Sequence, residues 1–275
     1  MTSQPEIRTP LPELRHTAAH VLAYAVQDLF PEAKPTIGPA IENGFYYDFD
    51  RSEPFTPEDL ERLEKRMHEI VLANYEMTGR VVTRDEALAR FSGNQYKAEM
   101  AREIPQDEPI TLYTIGEFTD LCRGGHAHGT GEIGALKLMS VAGAYWRGDE
   151  HKPMLQRIYG TAWPTQRELE DYLHLLEEAA KRDHRKLGRE LDLFSIEEDA
   201  GGGLVFWHPK GAVMRSIVEQ FIREGLQERG YLPVVTPHVV SEKLYEISGH
   251  LENFSHGMFG PLEVEEQRFR LKPMN

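Results

Sequence analysis

Residues 119–129 read TDLCRGGHAHG, which sets the single cysteine of the chain, Cys122, beside an arginine and two glycines ahead of His126 and His128. Cys122 and His126 are four positions apart, and the intervening Gly124 and Gly125 predict a turn rather than a helix, so both side chains can be aimed inward. A second stretch, RHTAAHVLAYAV at 15–26, supplies His16 and His20. In a helix these residues, at i and i+4, stand one turn apart on one face, with Cβ atoms about 5–6 Å apart. The organisation of the N-terminal half turns on whether these two stretches meet.

Working outward, 275 residues suffice for two ordinary domains, each with its own core. Hydrophobic residues at 40% and charged residues at 28% describe a soluble globular chain. No apolar run approaches the roughly 20 residues that span a bilayer. The opening MTSQPEIRTPLPELRH carries prolines and charges where a signal peptide has its apolar centre, so the expectation is a cytoplasmic protein with no membrane partner. One cysteine excludes an intramolecular disulfide framework and leaves Cys122 as a small hydrophobe, a ligand or a working thiol. The net charge of -14 argues against a surface coated for non-specific nucleic-acid binding. It leaves room for local basic tracks, the densest being KRDHRKLGR at 181–189.

Patterning predicts a helix through His16 and His20, then strand and turn at GPAIENGFYYDFD. A second helix starts at Thr56, with Thr56 as N-cap, Pro57 at its first position and acidic residues in its first turn. PITLYTIG and LKLMSVAGAYW read as strands. From about Thr165, Leu169, Tyr172, Leu173, Leu176 and Ala180 recur at helical spacing, with Gly188 as a C-terminal stop. Beyond Leu191 come a glycine-rich stretch, a helix with Val213, Ile217, Phe221 and Leu226 on one face, and GYLPVVTPHVV, read as a buried strand broken by Pro237. Tyr46 and Tyr47 read as strand packing rather than base-stacking groups, and His128 as incidental.

HxxxH plus CxxxH amounts to three imidazoles and a thiol, and three readings stay open. The histidines are ordinary and CRGGH is a plain turn, the usual outcome for an isolated HxxxH. Alternatively the four donors close a tetrahedral zinc site. In the third reading they form a metal-free pocket that positions water against an ester.

The chain resembles the threonyl-tRNA synthetases through HTAAHVLAYAV, IGPAIENGFYYDFD, LCRGGH, KLMSVAGAYWRGD, MLQRIYGTAW, EEAAKRDHRKLGRELDLF, GLVFWHPKG and RLKPMN, in the family's order and over nearly all its length. The resemblance implies an α+β chain. Residues 1–163 would be an editing domain that hydrolyses serine wrongly attached to threonine tRNA, 164–190 a linker helix, and 191–275 the N-terminal, incomplete part of a class II catalytic domain built as an antiparallel sheet with helices. Such a domain has a physical reason to exist, because one methyl discriminates serine from threonine by only about 1–3 kcal/mol.

Carried over residue by residue, the resemblance implicates His16, His20, Cys122 and His126, with Lys97 and Asp120. Asp120 would meet the substrate ammonium, Lys97 would position water or carbonyl, and the imidazoles would orient water and the terminal ribose. No cofactor and no metal is expected at this site. ATP, Mg and Zn belong to the complete family enzyme, whose motifs 2 and 3 and zinc ligands lie beyond the point where this chain stops, so a truncated chain is expected. The implied partners are threonine tRNA, with mischarged seryl-tRNA as substrate, and a second copy of the chain through the motif 1 region. Alternatives from other classes are a non-catalytic tRNA-binding or dimerisation module and a free-standing zinc-dependent aminoacyl-tRNA hydrolase. Gly125 stands where related sequences commonly carry proline, which implies a looser turn, and Arg123 is expected to favour a Cys122 thiolate.

Overall fold

The computed structural model describes residues 9–273. Residues 1–8, which open the stretch read as lacking a signal peptide, and Met274 and Asn275 of RLKPMN lie outside the described residues. The chain divides into two compact units, 1–181 and 182–275. Among the described residues no helix is long and apolar enough to cross a membrane.

The first unit opens with α1, Leu11–Leu29, which is enclosed on nearly every side, with Ala18, Ala19, Val21, Leu22, Ala23, Ala25 and Val26 fully buried. Small residues let neighbouring elements approach the helix axis closely, and this holds His20 in the interior with His16 half-buried beside it. The chain continues through β1 (Lys34–Pro35), β2 (Ala40–Ile41) and β3 (Gly44–Asp50) to α2 (Pro57–Leu72). Thr56 and Asp59 form a capping box at the start of α2, while Leu63, Met67 and Ile70 make its buried stripe. Then come β4 (Thr78–Val82), α3 (Arg84–Arg90), α4 (Gln95–Glu103), β5 (Ile110–Ile115) and β6 (Phe118–Leu121). The long hairpin β7 (Ala135–Tyr145) and β8 (Met154–Trp163) follows, and α5 (Gln166–Lys181) closes the unit.

Two antiparallel sheets result. One runs β1-β3-β8-β7 with β2 paired to β3; the other runs β4-β5-β6. The helices α1 and α2 share the main core with Phe45, Tyr47, Phe49 and Ile158 of the larger sheet. Phe91 and Ala101, from α3 and its C-cap and from α4, pack with Val82, Ile110, Leu112 and Leu121 of the smaller one. This is the α+β organisation read from the sequence.

The second unit comprises α6 (His184–Glu190), β9 (Phe194–Ile196), β10 (Val205–Trp207), α7 (Pro209–Glu228), β11 (Val239–Ser241), α8 (Lys243–Ile247), α9 (His250–Phe254), β12 (Leu262–Val264) and β13 (Gln267–Leu271). Its strands form an antiparallel pair β10-β9 and an antiparallel sheet β11-β13-β12.

Several local readings are corrected here. The helix beginning near Thr165 ends at Lys181, and α6 restarts behind Asp183, whose side chain accepts from the Arg185 backbone N–H. Gly188 is inside α6 rather than at its end, because the Phe194 ring lies where its Cβ would be. The run LPVVTP is not a buried strand; Val235 is 99% exposed and extended pairing begins only at Val239. A strand needs partners and a covered face as well as β-branched residues.

Thr56→Ala removes the side chain that satisfies the Asp59 N–H and half of the reciprocal capping box. It is expected to lower the stability of the first unit by about 1 kcal/mol, read as a lower urea midpoint with an unchanged slope.

Candidate active site

The two stretches meet. The ligand atoms of His16, His20, Cys122 and His126 all lie within 4.8 Å of one another. Cys122 Sγ is 3.4 Å from His16 Nε2 and 3.4 Å from His126 Nε2. The three imidazole centroids are 4.3 to 5.0 Å apart. Helix α1 presents His16 and His20 on one face, while β6 delivers Asp120 and, one residue past its end, Cys122. Cys122 still belongs to the ladder: its N–H donates to the Thr111 carbonyl, and its carbonyl accepts from the Thr111 hydroxyl at 2.6 Å.

The loop that returns His126 to α1 is held at two points. His16 Nδ1 lies 3.1 Å from the Gly125 carbonyl, and the Ala127 N–H donates to the Thr17 hydroxyl at 2.9 Å. Gly125 has a φ of +80°, which proline's ring forbids, so the loop takes a path that a proline at this position could not follow. His128 is exposed and offers only its backbone to the fold.

Behind the cluster is a buried charge network. Asp120 Oδ1 is 2.5 Å from Lys97 Nζ and accepts from the Leu121 N–H at 2.8 Å; its Oδ2 accepts from the Tyr47 hydroxyl at 2.5 Å and lies 3.2 Å from His20 Nδ1. Lys97 Nζ also donates to the Tyr47 oxygen at 3.0 Å. Lys97 and Asp120 are each only 2% exposed.

A cavity of about 1020 Å³ opens onto these groups, lined by His16, His20, Lys97, Asp120 and Cys122. Farther along its wall lie Tyr46, Arg157 and Trp146. Such a volume holds an organic ligand of nucleoside size or more. All six residues singled out from the sequence thus lie together in one site: five line the cavity, and His126 supports them from behind.

Two residues there were read differently from the sequence. Tyr47 is a core residue, as expected of strand packing, but its hydroxyl is a full member of the network. Alternation in GFYYDFD puts Tyr47 on the same face as Phe45 and Phe49, and a tyrosine hydroxyl among phenylalanines must find a polar partner. Thr17 carries no sequence signal beyond its position next to His16. Arg123 is 78% exposed and paired with Glu108 at 3.1 Å, so it does not act on the thiol.

Electrostatics follow from burial and partners. Burial opposes ionisation of Cys122, yet the hydrogen bonds of His126 and His16, with the nearby His20 charge, outweigh it and lower the thiol to about 3. Burial works against a charged His20 too, but Asp120 and Cys122 prevail and raise it to about 9. Asp120 is also opposed by burial, and Lys97 and His20 hold it well below the usual carboxylate range. Burial lowers His126, against the pull of Cys122.

Between pH 6.5 and 9 the folded pocket holds an imidazolium and a thiolate, whereas the unfolded chain holds a neutral imidazole and a thiol. Both states then bind the same number of protons, so the stability contributed by the pair is level across this window. Below pH 6.5 the unfolded His20 gains a proton while unfolded Cys122 keeps its own. The pair's contribution therefore falls with pH, down to about pH 3.

Four N and S donors invite the question of a metal. Zinc–ligand bonds of about 2.0–2.3 Å in a tetrahedron place donors roughly 3.3–3.6 Å apart. The two cysteine–histidine contacts at 3.4 Å meet that spacing, but the set spreads to 4.8 Å and would have to contract around an ion.

Comparison with known proteins concerns the segment that carries part of this site and the chain as a whole. The model of a family described as the threonyl and alanyl tRNA synthetase second additional domain matches residues 110–159, the segment that contains Asp120, Cys122 and His126. A threonine–tRNA ligase of Acidithiobacillus ferrooxidans is 55% identical over 264 residues, covering 95% of this chain and 41% of the relative. One of Magnetococcus marinus is 53% identical over the same shares. A solved structure titled as the RNA binding domain of threonyl-tRNA synthetase from Cryptosporidium parvum Iowa II aligns with 39% identity over 34% of this chain and 23% of that one, with a TM-score of 0.33.

The single cysteine makes its ionisation directly readable. The ultraviolet thiolate absorbance of Cys122 is expected to stay constant from about pH 8 down to about pH 5 and to disappear in Cys122→Ser; an ordinary thiol would have lost it by about pH 7. The chain spans about two-fifths of the length of the curated relatives it matches, and over 95% of its own length it is a homologue of the threonine–tRNA ligases.

Proposed function

We propose that the first unit hydrolyses the ester of seryl-tRNA, removing serine mistakenly attached to threonine tRNA. The observation that carries this reading is the convergence of His16, His20, Cys122 and His126 on one cavity with a buried Lys97–Asp120 pair behind them. In domain terms, residues 1–163 serve as the editing domain, 164–190 as the link and 191–275 as the N-terminal part of a class II catalytic domain. On this reading the protein works in the cytoplasm, with threonine tRNA as its partner and self-association through the motif 1 region. ATP, Mg and Zn serve the aminoacylation chemistry of the longer relatives.

The chemistry is assigned from hydrogen-bond direction. A thiolate only accepts, so Cys122 Sγ takes its hydrogen bonds from the ring nitrogens of His16 and His126, each at 3.4 Å. The Cys122 thiolate on the cavity wall is therefore the proton acceptor for the attacking water. His20, held as an imidazolium by Asp120, has no hydrogen-bond partner at Nε2 among the described residues and offers that N–H to the carbonyl oxygen as it becomes negative. Water adds to the ester carbonyl, its proton passes to the Cys122 thiolate, the C–O bond to the ribose breaks, and the proton moves on to the departing ribose oxygen. The products are serine and tRNA with a free hydroxyl.

With both its oxygens engaged by Lys97, Tyr47, His20 and a backbone N–H, Asp120 acts as the internal anchor of this arrangement. The anionic Cys122 is the group left to meet the substrate ammonium. A zinc-dependent hydrolase is the second reading, favoured by the donor set and by the Asp120–His20 contact, which resembles a carboxylate orienting a metal-bound histidine. The 4.8 Å spread of the donors and their hydrogen bonds to one another favour the metal-free reading.

The purified protein is expected to deacylate seryl-tRNA while sparing threonyl-tRNA; equal hydrolysis of both esters would contradict the proposal. Alanine at His16, His20, Cys122 or His126 should each slow deacylation at least about tenfold, some 1.4 kcal/mol in the barrier, with His128→Ala unchanged as control. A separate measurement decides between the readings. Elemental analysis is expected to find no stoichiometric zinc and activity is expected to survive chelation, whereas one zinc per chain with activity lost on its removal selects the second reading.

A further inference from the structure

Helix α4 carries Lys97 into the site, yet its nine residues make little more than two turns, too short to hold a fixed orientation unaided. Its ends are tied down. At the start the Asn94 side chain accepts from the Tyr96 and Lys97 N–H groups and donates to the Pro35 carbonyl at 2.7 Å. Near the end Arg84 donates to the carbonyls of Ala101 and Ile104.

The flank of α4 that carries Glu99 and Glu103, one turn apart, is gripped by the tip of the β7–β8 hairpin. The Trp146 indole N–H donates to the Glu99 carboxylate at 3.3 Å, and Arg147 engages Glu103 through two guanidinium nitrogens, one at 2.9 Å, and Glu99 at 3.4 Å. Trp146 is buried against Tyr96, ring to ring at 5.1 Å, and the Tyr96 hydroxyl reaches Asp50 of β3 at 3.0 Å. On the helix Glu99 is two positions from Lys97, roughly 200° round the axis, so the grip lies across α4 from the lysine.

The turn itself is unusual. Arg147 has a φ of +58°, a left-handed conformation that disfavours a side chain, and the left-handed Gly148 follows it. Arg147, Trp146 and Glu103 also line the same cavity as Lys97. A strained backbone beside a cavity, made by a residue whose side chain grips the helix bearing a buried site lysine, reads as a function-bearing constraint.

We propose that Arg147 is a positioning residue for the hydrolytic site: by clamping Glu103 and Glu99 it holds α4 so that the Lys97 ammonium stays on Asp120 and Tyr47. This rests on the hydrolytic reading for its kinetic consequence but not for its structural one. Lys97 in place keeps Asp120 oriented on His20, and that orientation is what fixes the imidazolium facing the substrate carbonyl.

Arg147→Gly tests the clamp without burdening the fold, since glycine accepts the left-handed turn while losing the guanidinium. The expected result is a kcat for seryl-tRNA deacylation at least about fivefold lower with KM near that of the unaltered protein and no drop in thermal midpoint. Acylation of Lys97 by acetic anhydride, read by mass spectrometry, should rise at least about fivefold, reporting the release of Lys97 without any need for turnover. The charge-exchanged double variant Arg147→Glu with Glu103→Arg should recover part of both losses. Full kcat with Lys97 as protected as before would overturn the proposal, as would a kcat loss that merely tracks a lower thermal midpoint. If the unaltered protein deacylates nothing, the hydrolytic reading fails by itself, and the labelling of Lys97 still decides whether Arg147 holds it.

Discussion

One buried carboxylate organises the first unit. Asp120 on β6 joins Lys97 from α4, Tyr47 from β3 and His20 from α1, so a single side chain ties both sheets to the central helix. Removing charges from water this completely is costly, and the arrangement persists because each oxygen of Asp120 has two partners. The same contacts set the chemistry. Asp120 keeps His20 protonated; protonated His20, with His126 and His16, keeps Cys122 ionised; and the ionised pair stands at a cavity wall rather than in a sealed core.

The enclosed α1 follows from the same constraint. Its alanines let surrounding elements close in, and that closeness allows a loop more than 90 residues away in sequence to bring Cys122 and His126 against His16 and His20. The glycines in that loop allow the reversal, Thr17 and the His16 ring fix where it ends, and the left-handed Gly125 selects a path unlike one with proline.

Much of this was legible in the sequence, since HxxxH at helical spacing and CxxxH across two glycines both concern short-range geometry. The Thr56 capping box and the long hairpin strands were legible for the same reason. What local pattern cannot convey is which distant partner a polar group finds. Tyr47 looked like packing because its hydrogen bonds go to residues 50 and 73 positions away, and Arg123 looked like a thiol activator because adjacency in sequence is not adjacency in space. In the second unit the periodicity of α7 was read correctly, yet Val213, Ile217 and Phe221 are exposed; a helical stripe reports a face suited to burial, not what covers it.

The central claim is that this cavity receives the aminoacyl end of tRNA with the ester carbonyl among His16, His20 and Cys122. A crystal structure of the protein with an adenosine carrying serine through a non-hydrolysable 3′-amide tests it most directly. The account requires the amide carbonyl within hydrogen-bond reach of His20 Nε2, the seryl ammonium toward Cys122, and the Lys97–Asp120 contact intact. An analogue bound elsewhere on the unit, or seated in the cavity with its adenosine end against the histidines, would contradict it.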